Sequence, residues 1–201
     1  MVNNGASRKT IGILAIQGDF AMHARMLDHI GAPYRLVKHA HELREVTALI
    51  MPGGESTTML KFFCAEGMGS AITEFAAQGK PIFGTCAGAI LLAKEVLNPP
   101  QQSLGLLDIG IERNAYGRQI DSSVQPVECP ALCPDPVEMF FIRAPIIRRM
   151  GDRVNILGKA NGLPVLVEQG RVLAATFHPE LTGNEVIHRY FLSKIDSSPH
   201  H

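Results

Sequence analysis

Residues 80–97, KPIFGTCAGAILLAKEVL, join a buried apolar strand to an apolar helix through a turn of small residues. The apolar run ends at Phe83, the glycines Gly84 and Gly88 flank Cys86, and the helix-forming stretch AGAILLAKEVL follows. A strand that leads directly into a helix is the first part of a βαβ unit, from which parallel sheets are built. The segment therefore predicts an α/β fold with a cysteine at the carboxyl end of one strand.

The same alternation of strands and helices continues on the N-terminal side. The strands are predicted in TIGILAIQG, PYRLVK and VTALIMPGG, and helices in residues 19–30, STTMLKFFCAEG and GSAITEFAAQG. From Leu107 to Phe177 the pattern is mostly that of strands, before a final helix over about residues 183–194. We expect a three-layer α/β core, with a mainly parallel central sheet and an antiparallel extension. Residues 1–196 should form one domain, and residues 197–201 a disordered tail or tag remnant.

Composition limits the classes of partner. The 201 residues carry no formal net charge, so a bulk electrostatic attraction to nucleic acid or anionic membranes is not expected. The N-terminus lacks the apolar core of a signal peptide, and no apolar run approaches the roughly 20 residues of a membrane-spanning helix. We therefore predict a cytoplasmic protein that binds neither nucleic acid nor membrane, with its four cysteines reduced.

The turn around Cys86 matches the pattern G-x-nucleophile-x-G at a strand-to-helix junction. The tight turn would make flanking side chains collide, and glycines relieve that crowding. The N-terminus of the following helix favours the thiolate, and the backbone N–H of Ala87 points to where an oxyanion would develop. A buried structural cysteine in a tight turn explains the pentapeptide equally well, so the hypothesis needs a base.

A candidate base and its orienting group lie in RVLAATFHPEL, where an apolar strand ends at Phe177 and His178, Pro179 and Glu180 follow. Pro179 biases the residue before it toward extended geometry, in which residues two apart point to the same side. Glu180 can then hold the tautomer of His178, as the third member of a triad does. A metal-binding pair and a surface polar pair are the alternatives, although no third ligand set is evident.

The sequence gives less specific predictions for the remaining cysteines and histidines. Cys64 is predicted to be a small core hydrophobe, and Cys129 and Cys133, spaced C-x-x-x-C among prolines, to lie in a plain loop. His23 on the first helix is expected to be solvated or to cap it, and His188 falls on the last helix. We expect no metal site.

The loop MPGGEST follows the third strand and provides polar groups beside two glycines. Gly53 and Gly54 allow the backbone to approach a ligand, and their N–H groups could complete an oxyanion hole. Glu55 and Ser56 offer a carboxylate and a hydroxyl to an amino-acid substrate. Alternatively, Ser56 is simply the N-cap of the next helix.

Two arginines could bind a substrate carboxylate through paired hydrogen bonds. Arg113 in IERNAYGRQ and Arg143 in FFIRAP each lie within or just after an apolar strand. A structural ion pair is an equally good explanation for either residue taken alone.

Taken together, GTCAG, PGGEST and HPE resemble the class I, triad-type glutamine amidotransferases, which have a flavodoxin-like fold. The closer resemblance is to the family of glutaminase subunits of pyridoxal 5′-phosphate synthase. It is carried by LAIQGDFAMH, MPGGESTTM, FGTCAGAILLAKE, LGLLDIGIERNAYGRQIDS, FIRAP and FHPELT, which all lie between Ile11 and Thr182.

The resemblance implies the following roles. Cys86 is the nucleophile, His178 the general base and acid, and Glu180 the group that orients it. Gln17, at the end of the first strand, neighbours the oxyanion hole formed by Gly54 and Ala87 and senses the partner. The L-glutamine pocket is lined by Gly54, Glu55, Ser56, Arg113, Ile142 and Arg143.

Two positions depart from the patterns of related enzymes. Ile90 stands where the broad superfamily usually has Gln, which favours the vitamin B6 branch over the purine, pyrimidine and histidine branches. Met22 stands where the B6 family commonly has Glu, which affects at most a local contact on the first helix.

The resemblance implies hydrolysis of L-glutamine to L-glutamate and ammonia, which passes to a synthase subunit that makes pyridoxal 5′-phosphate. That compound is the product of the complex, and no cofactor is expected on this chain. Other functions remain open at this point: a glutaminase that feeds another acceptor, a non-catalytic regulator on the same fold, and a cysteine protease or redox chaperone on a similar fold.

Overall fold

The computed structural model describes residues 9–113 and 122–196. The predicted tail at residues 197–201 and the stretch 114–121 lie outside the described residues. Most of the strands end or begin close to where the alternation of apolar residues and glycines predicts them. The strands are β1 (Ile11–Leu14), β2 (Tyr34–Val37), β3 (Ala48–Met51), β4 (Ile82–Thr85), β5 (Ala93–Leu97), β6 (Leu107–Glu112), β7 (Ser122–Val127), β8 (Val137–Ile142), β9 (Ile146–Met150), β10 (Asn155–Ala160), β11 (Leu163–Gln169) and β12 (Val172–Ala175).

Five α-helices connect or follow these strands in the described part of the chain. None of them is long and apolar enough to cross a membrane. Two short 3₁₀ turns lie at Ala40–Glu45 and Pro179–Leu181. The helices are α1 (Phe20–Ile30), α2 (Ser56–Ala65), α3 (Met68–Ala77), α4 (Ala87–Leu92) and α5 (Val186–Asp196).

The central sheet has seven strands in the order β10-β11-β12-β4-β3-β1-β2. The five strands from β12 to β2 are parallel, and β11 and β10 add to their edge in antiparallel fashion. This confirms the predicted mainly parallel sheet with an antiparallel extension. The carboxyl ends of β1, β3, β4 and β12 therefore lie side by side at one end of the strands, where sites form in open sheets of this kind.

Two hydrophobic cores lie on opposite faces of the central sheet. Because successive residues of a strand point to opposite faces, β3 sends Leu49 and Met51 into one core and Ile50 into the other. Helices α2, α3 and α4 cover the first face. Helices α1 and α5 cover the second face, to which α5 contributes Ile187 and Phe191. The arrangement confirms the predicted three layers.

Three strands, β5, β7 and β9, were not predicted from the sequence. The helix predicted over AGAILLAKEVL ends at Leu92, and Ala93–Leu97 forms β5, which pairs in parallel with β6. Strand β9 pairs with β6, and β7 and β8 form a separate hairpin. The helix prediction was wrong because tertiary pairing overrides the helical propensity of AKEVL, whose Ala93 and Val96 are buried beside β6.

The cysteines outside the elbow differ from expectation. Cys64 is exposed, so its prediction as a core residue was wrong; it lies on the outward side of α2, whereas its neighbour Phe63 points into the core. Cys129 and Cys133 lie in the loop that joins β7 to β8, as predicted. Their sulfur atoms are 3.3 Å apart as free thiols, with Cys129 buried and Cys133 half-buried.

Candidate active site

Cys86 lies at a sharp corner between β4 and α4. Its backbone has φ 47° and ψ −103°, a strained conformation for a residue with a side chain. The flanking glycines are required by close contacts: a Cβ on Gly88 would lie 2.0 Å from the carbonyl oxygen of Met51, and one on Gly84 2.7 Å from the carbonyl carbon of Gly88. The strand-to-helix corner therefore has the geometry that the glycine pattern predicts.

His178 and Glu180 extend from the neighbouring strand end, beyond β12. The backbone N–H of His178 donates to the carbonyl of Phe140 on β8 (2.8 Å), which fixes the residue between two sheets. Its Nδ1 lies 2.8 Å from Oε1 of Glu180, and both side chains are buried. Pro179 and Glu180 form a 3₁₀ turn rather than the extended segment that the sequence suggested, yet the turn still brings Glu180 to the imidazole.

The same imidazole also hydrogen-bonds to the Cys86 thiol. Burial lowers the pKa of His178, but hydrogen bonds to Cys86 and Glu180 outweigh that effect and raise the pKa to about 10. The sulfur also lies 3.9 Å from the carbonyl oxygen of Ile142. The structure thus brings Cys86, His178 and Glu180 together, and the hydrogen bonds to Cys86 and Glu180 favour the protonated form of the imidazole.

Asp19, the first residue of the predicted helix over residues 19–30, is a second carboxylate near the imidazole. It is the N-cap of α1, but its side chain makes no capping bond; Oδ2 lies 3.6 Å from Nδ1 of His178 instead. Asp19, His178 and Glu180 each place a possible metal-ligand atom within 4.8 Å of the others.

A cavity of about 380 Å³ opens in front of Cys86. It gathers residues from both halves of the chain, including every residue predicted from the resemblance to line a glutamine pocket. Ile90, one of the two departures, also faces it. The lining residues are Asp19, Gly54, Glu55, Ser56, Cys86, Ile90, Arg113, Ile142, Arg143 and His178.

Glu55, rather than Ser56, is the N-cap of α2, so the capping alternative for Ser56 was wrong. The Glu55 carboxylate accepts hydrogen bonds from the backbone N–H groups of Thr57 and Thr58 and from both of their hydroxyls. These hydroxyl bonds are the main reason that the pKa of Glu55 is lowered to about 2. Ser56 is buried, and its hydroxyl donates to Oε1 of Gln101 instead.

The two arginines flank the cavity in different ways. Arg113 follows β6, and its guanidinium lies 3.3 Å from Oγ1 of Thr57 and 3.7 Å from Oε1 of Glu55. Arg143 follows β8 with φ 45°, an unusual backbone conformation for a residue with a side chain. The ion-pair alternative thus applies in part to Arg113, which has a carboxylate neighbour at the cavity wall.

Gln17 lies behind the glycine loop. Its Oε1 accepts the backbone N–H of Glu55 (2.8 Å), and a Cβ on Gly54 would lie only 2.6 Å from the same oxygen. Ala87, the first residue of α4, is buried next to Cys86. Gly54 therefore lies on the glycine loop of the cavity wall and Ala87 at the start of α4 next to Cys86, with Gln17 packed against the loop.

Two buried histidines behind the triad correct the sequence analysis. His23 and His188 are fully buried, and His23 is neither solvated nor a cap. His23 lies at helical spacing from Phe20 and Met26 on the apolar face of α1, a signal that could have predicted its burial. Its Nε2 lies 3.2 Å from Oγ1 of Thr85 and 3.5 Å from Oε2 of Glu180.

The fold and the site are those of a class of α/β enzymes with a cysteine at a strand-to-helix corner and a histidine–glutamate pair at the next strand end. Within that class, the chain belongs to the SNO glutamine amidotransferase family, whose model matches residues 13–197.

Comparison with individual proteins agrees with this family. The chain is 50% identical to the pyridoxal 5′-phosphate synthase subunit PdxT of Solibacter usitatus (strain Ellin6076), over 93% of this chain and 100% of that protein. It is also 50% identical to the PdxT subunit of Kosmotoga olearia, over 92% and 97% of the two chains. A crystal structure of a glutamine amidotransferase superposes with a TM-score of 0.87 at 44% identity, covering 93% of this chain and 99% of the other.

Proposed function

We propose that this protein is the glutaminase subunit of a pyridoxal 5′-phosphate synthase and hydrolyses L-glutamine to L-glutamate and ammonia. The observation that carries the proposal is the placement of Cys86, His178 and Glu180 beside a cavity lined by the residues expected to bind glutamine. The high identity to PdxT subunits over nearly the whole chain supports the choice of pathway.

In the first half of the reaction, the thiolate of Cys86 attacks the side-chain amide carbon of glutamine. The N–H of Ala87 and the Gly53–Gly54 loop are positioned to stabilise the resulting oxyanion. Protonated His178 gives its proton to the amide nitrogen, the C–N bond breaks, and ammonia leaves. The product on the enzyme is a γ-glutamyl thioester.

The second half releases glutamate. The neutral imidazole of His178 now takes a proton from water, and the hydroxide attacks the thioester carbon. When the C–S bond breaks, glutamate leaves and the starting thiolate–imidazolium pair is restored. Glu180 keeps Nδ1 of His178 protonated throughout, so that Nε2 carries the exchanged proton.

The cavity provides complementary groups for a free amino acid. Arg113 and Arg143 offer guanidinium groups to the α-carboxylate. The Glu55 carboxylate already accepts four hydrogen bonds, so we assign it chiefly to holding the start of α2 and the glycine loop. The α-ammonium group of glutamine would then donate hydrogen bonds to another carbonyl or carboxylate of the cavity wall. Asp19 is the further carboxylate in that wall.

The need to transfer ammonia without releasing it into water indicates what kind of partner the protein has. Ammonia in neutral water is mostly protonated and then is not nucleophilic, so a biosynthetic glutaminase should pass it directly to a synthase subunit. Gln17 packs against the Gly53–Gly54 loop and is suited to couple docking of that subunit to the oxyanion hole. The chemistry uses side chains and backbone alone, so we propose that this chain needs no metal or organic cofactor; its cytoplasmic location stays a prediction.

The test is to measure glutamate release from L-glutamine by the purified chain, alone and with the synthase subunit of a PdxT-type complex. We expect turnover that rises strongly with the synthase, and incorporation of ¹⁵N from amide-labelled glutamine into pyridoxal 5′-phosphate. Turnover without ¹⁵N incorporation would contradict the assigned pathway, and no turnover under either condition would contradict the glutaminase itself.

A further inference from the structure

A chain of buried polar groups continues from the triad into the protein interior. His23 on α1 and His188 on α5 are both 0% exposed, and Nδ1 of His23 lies 3.0 Å from Nε2 of His188. Nε2 of His23 points the other way, to Thr85 and Glu180. The mechanism described above uses neither histidine, although α1 packs directly against the turn that carries Glu180.

Glu180 has one satisfied and one unsatisfied oxygen. Oε1 meets Nδ1 of His178, whereas Oε2 is buried and completes no hydrogen bond of normal geometry with any described residue. A buried carboxylate oxygen without a donor is costly. Nε2 of His23 approaches this oxygen to 3.5 Å, and such contacts in unliganded active sites are often long and tighten when substrate binds.

We propose that His23 is a positioning residue for the triad: its Nε2–H holds Oε2 of Glu180 and thereby fixes the carboxylate that orients His178. This inference rests on the proposed glutaminase function, because it assigns His23 to the same reaction. His23 touches no substrate atom and acts through Glu180.

The donor and acceptor partners of the two rings determine the tautomers of His23 and His188. With the proton on Nε2, His23 donates toward Thr85 and Glu180, and its Nδ1 accepts from Nε2–H of His188. Nδ1 of His188, which has no partner among the described residues, is then a bare lone pair. The opposite assignment would aim a lone pair of His23 at Glu180 and leave a buried N–H of His188 unpaired, which is the more costly arrangement.

Both histidines act as neutral rings. Burial, reinforced by the neighbouring His188 and His178, lowers the pKa of His23, and burial lowers the pKa of His188 to about 4. The groups that face Glu180 are His178 from the end of β12, His23 from α1 and Asp19 from the start of α1. Burial raises the pKa of Glu180, and a donor on Oε2 counteracts this shift because it stabilises the carboxylate.

The decisive variants are His23→Leu, which removes the donor at similar volume, and His23→Gln, whose amide N–H can replace Nε2–H. The glutaminase kinetics of each variant are measured with the synthase present over a range of pH. The concentration of active sites is determined by titrating Cys86 with an electrophilic glutamine analogue. For His23→Leu we expect about a tenfold lower kcat per active site, the loss typical of a hydrogen bond to a charged group, with KM within twofold of wild type.

In His23→Leu, the fall of kcat at low pH (the acid limb of the pH profile) should also begin at a higher pH, because Glu180 becomes easier to protonate. His23→Gln should recover part of the lost kcat and should shift the acid limb back toward its wild-type position. A folded His23→Leu enzyme with wild-type kcat and acid limb would overturn the proposal, as would a His23→Gln enzyme with no recovery.

A second measurement does not depend on activity or on variant folding. The ¹⁵N shifts of the histidine rings in the wild-type protein report which nitrogen of His23 is protonated. A proton on Nε2 supports the proposal, and a proton on Nδ1 contradicts it. If wild type releases no glutamate while this tautomer is found, the glutaminase proposal fails and the contact between His23 and Glu180 stands.

Discussion

Nδ1 of His178 lies 2.8 Å from Oε1 of Glu180, and the two side chains are almost completely buried at the edge of the central sheet. This contact holds the imidazole that also hydrogen-bonds to Cys86, so a change at Glu180 should alter both the pKa of His178 and the reaction.

Glu180→Gln keeps the shape of the side chain but removes its charge. The carboxamide no longer stabilises the imidazolium, so the pKa of His178, about 10 in the wild type, should fall, and kcat should drop about 10³- to 10⁴-fold as in other triads that lose the carboxylate. Steady-state kinetics and an NMR titration of His178 check both effects. An unchanged titration of His178 would contradict the assigned contact.

Gly53→Ala tests the packing of the glycine loop on the imidazole. A Cβ at residue 53 would lie 2.4 Å from Cε1 of His178, so the ring or the loop must move. A displacement of about 1 Å can cost about 100-fold in rate, and we expect a loss of kcat of that order. Gly183→Ala is the matched control, because an added Cβ there meets nothing within 4 Å. Equal kcat for the two variants would refute the steric argument.

Arg113→Lys tests carboxylate recognition. A lysine retains the charge but cannot make paired hydrogen bonds, so KM for glutamine should rise about tenfold or more while kcat changes little. Arg149→Lys serves as the control, since Arg149 lies on β9 and pairs with Asp108 and Glu95 at the surface. A change in kcat alone would place Arg113 outside substrate binding.

The buried histidines should make the fold sensitive to mild acid. His188 has a folded-state pKa of about 4, below the ordinary 6.5, so the unfolded chain binds more protons between these values. The free energy of unfolding therefore falls as pH drops from 6.5 to 4, on the order of 3 kcal/mol for one such imidazole. Urea unfolding at several pH values should show a smaller loss in His188→Leu. The same loss in both proteins would show that other groups cause the acid sensitivity.

Most strand ends, and the meeting of Cys86 with His178, could be predicted from the sequence because their signals are local. Glycines at Gly84 and Gly88 mark the corner, and a strand ending at Phe177 places His178 at the same sheet edge. The resemblance named the pocket residues, and the structure places them around one cavity. The roles of individual residues stay predictions until the variants above are measured.

The features that the sequence did not reveal depend on contacts between distant segments. Strand β5 exists because Ala93–Leu97 pairs with β6, against its own helical pattern. His23 and His188 are polar residues that can be buried because they contact each other and because His23 also contacts Thr85 and Glu180. A single sequence shows the apolar face of α1 but not the partner across the core.

The most direct test of the central claim is the replacement of the proposed nucleophile. Glutamate release is measured with the synthase present for wild type, Cys86→Ala and Cys64→Ala, the last removing an exposed cysteine that does not line the cavity. We predict that Cys86→Ala releases glutamate only at the background rate, whereas Cys64→Ala keeps wild-type turnover. Wild-type turnover by Cys86→Ala would contradict the account.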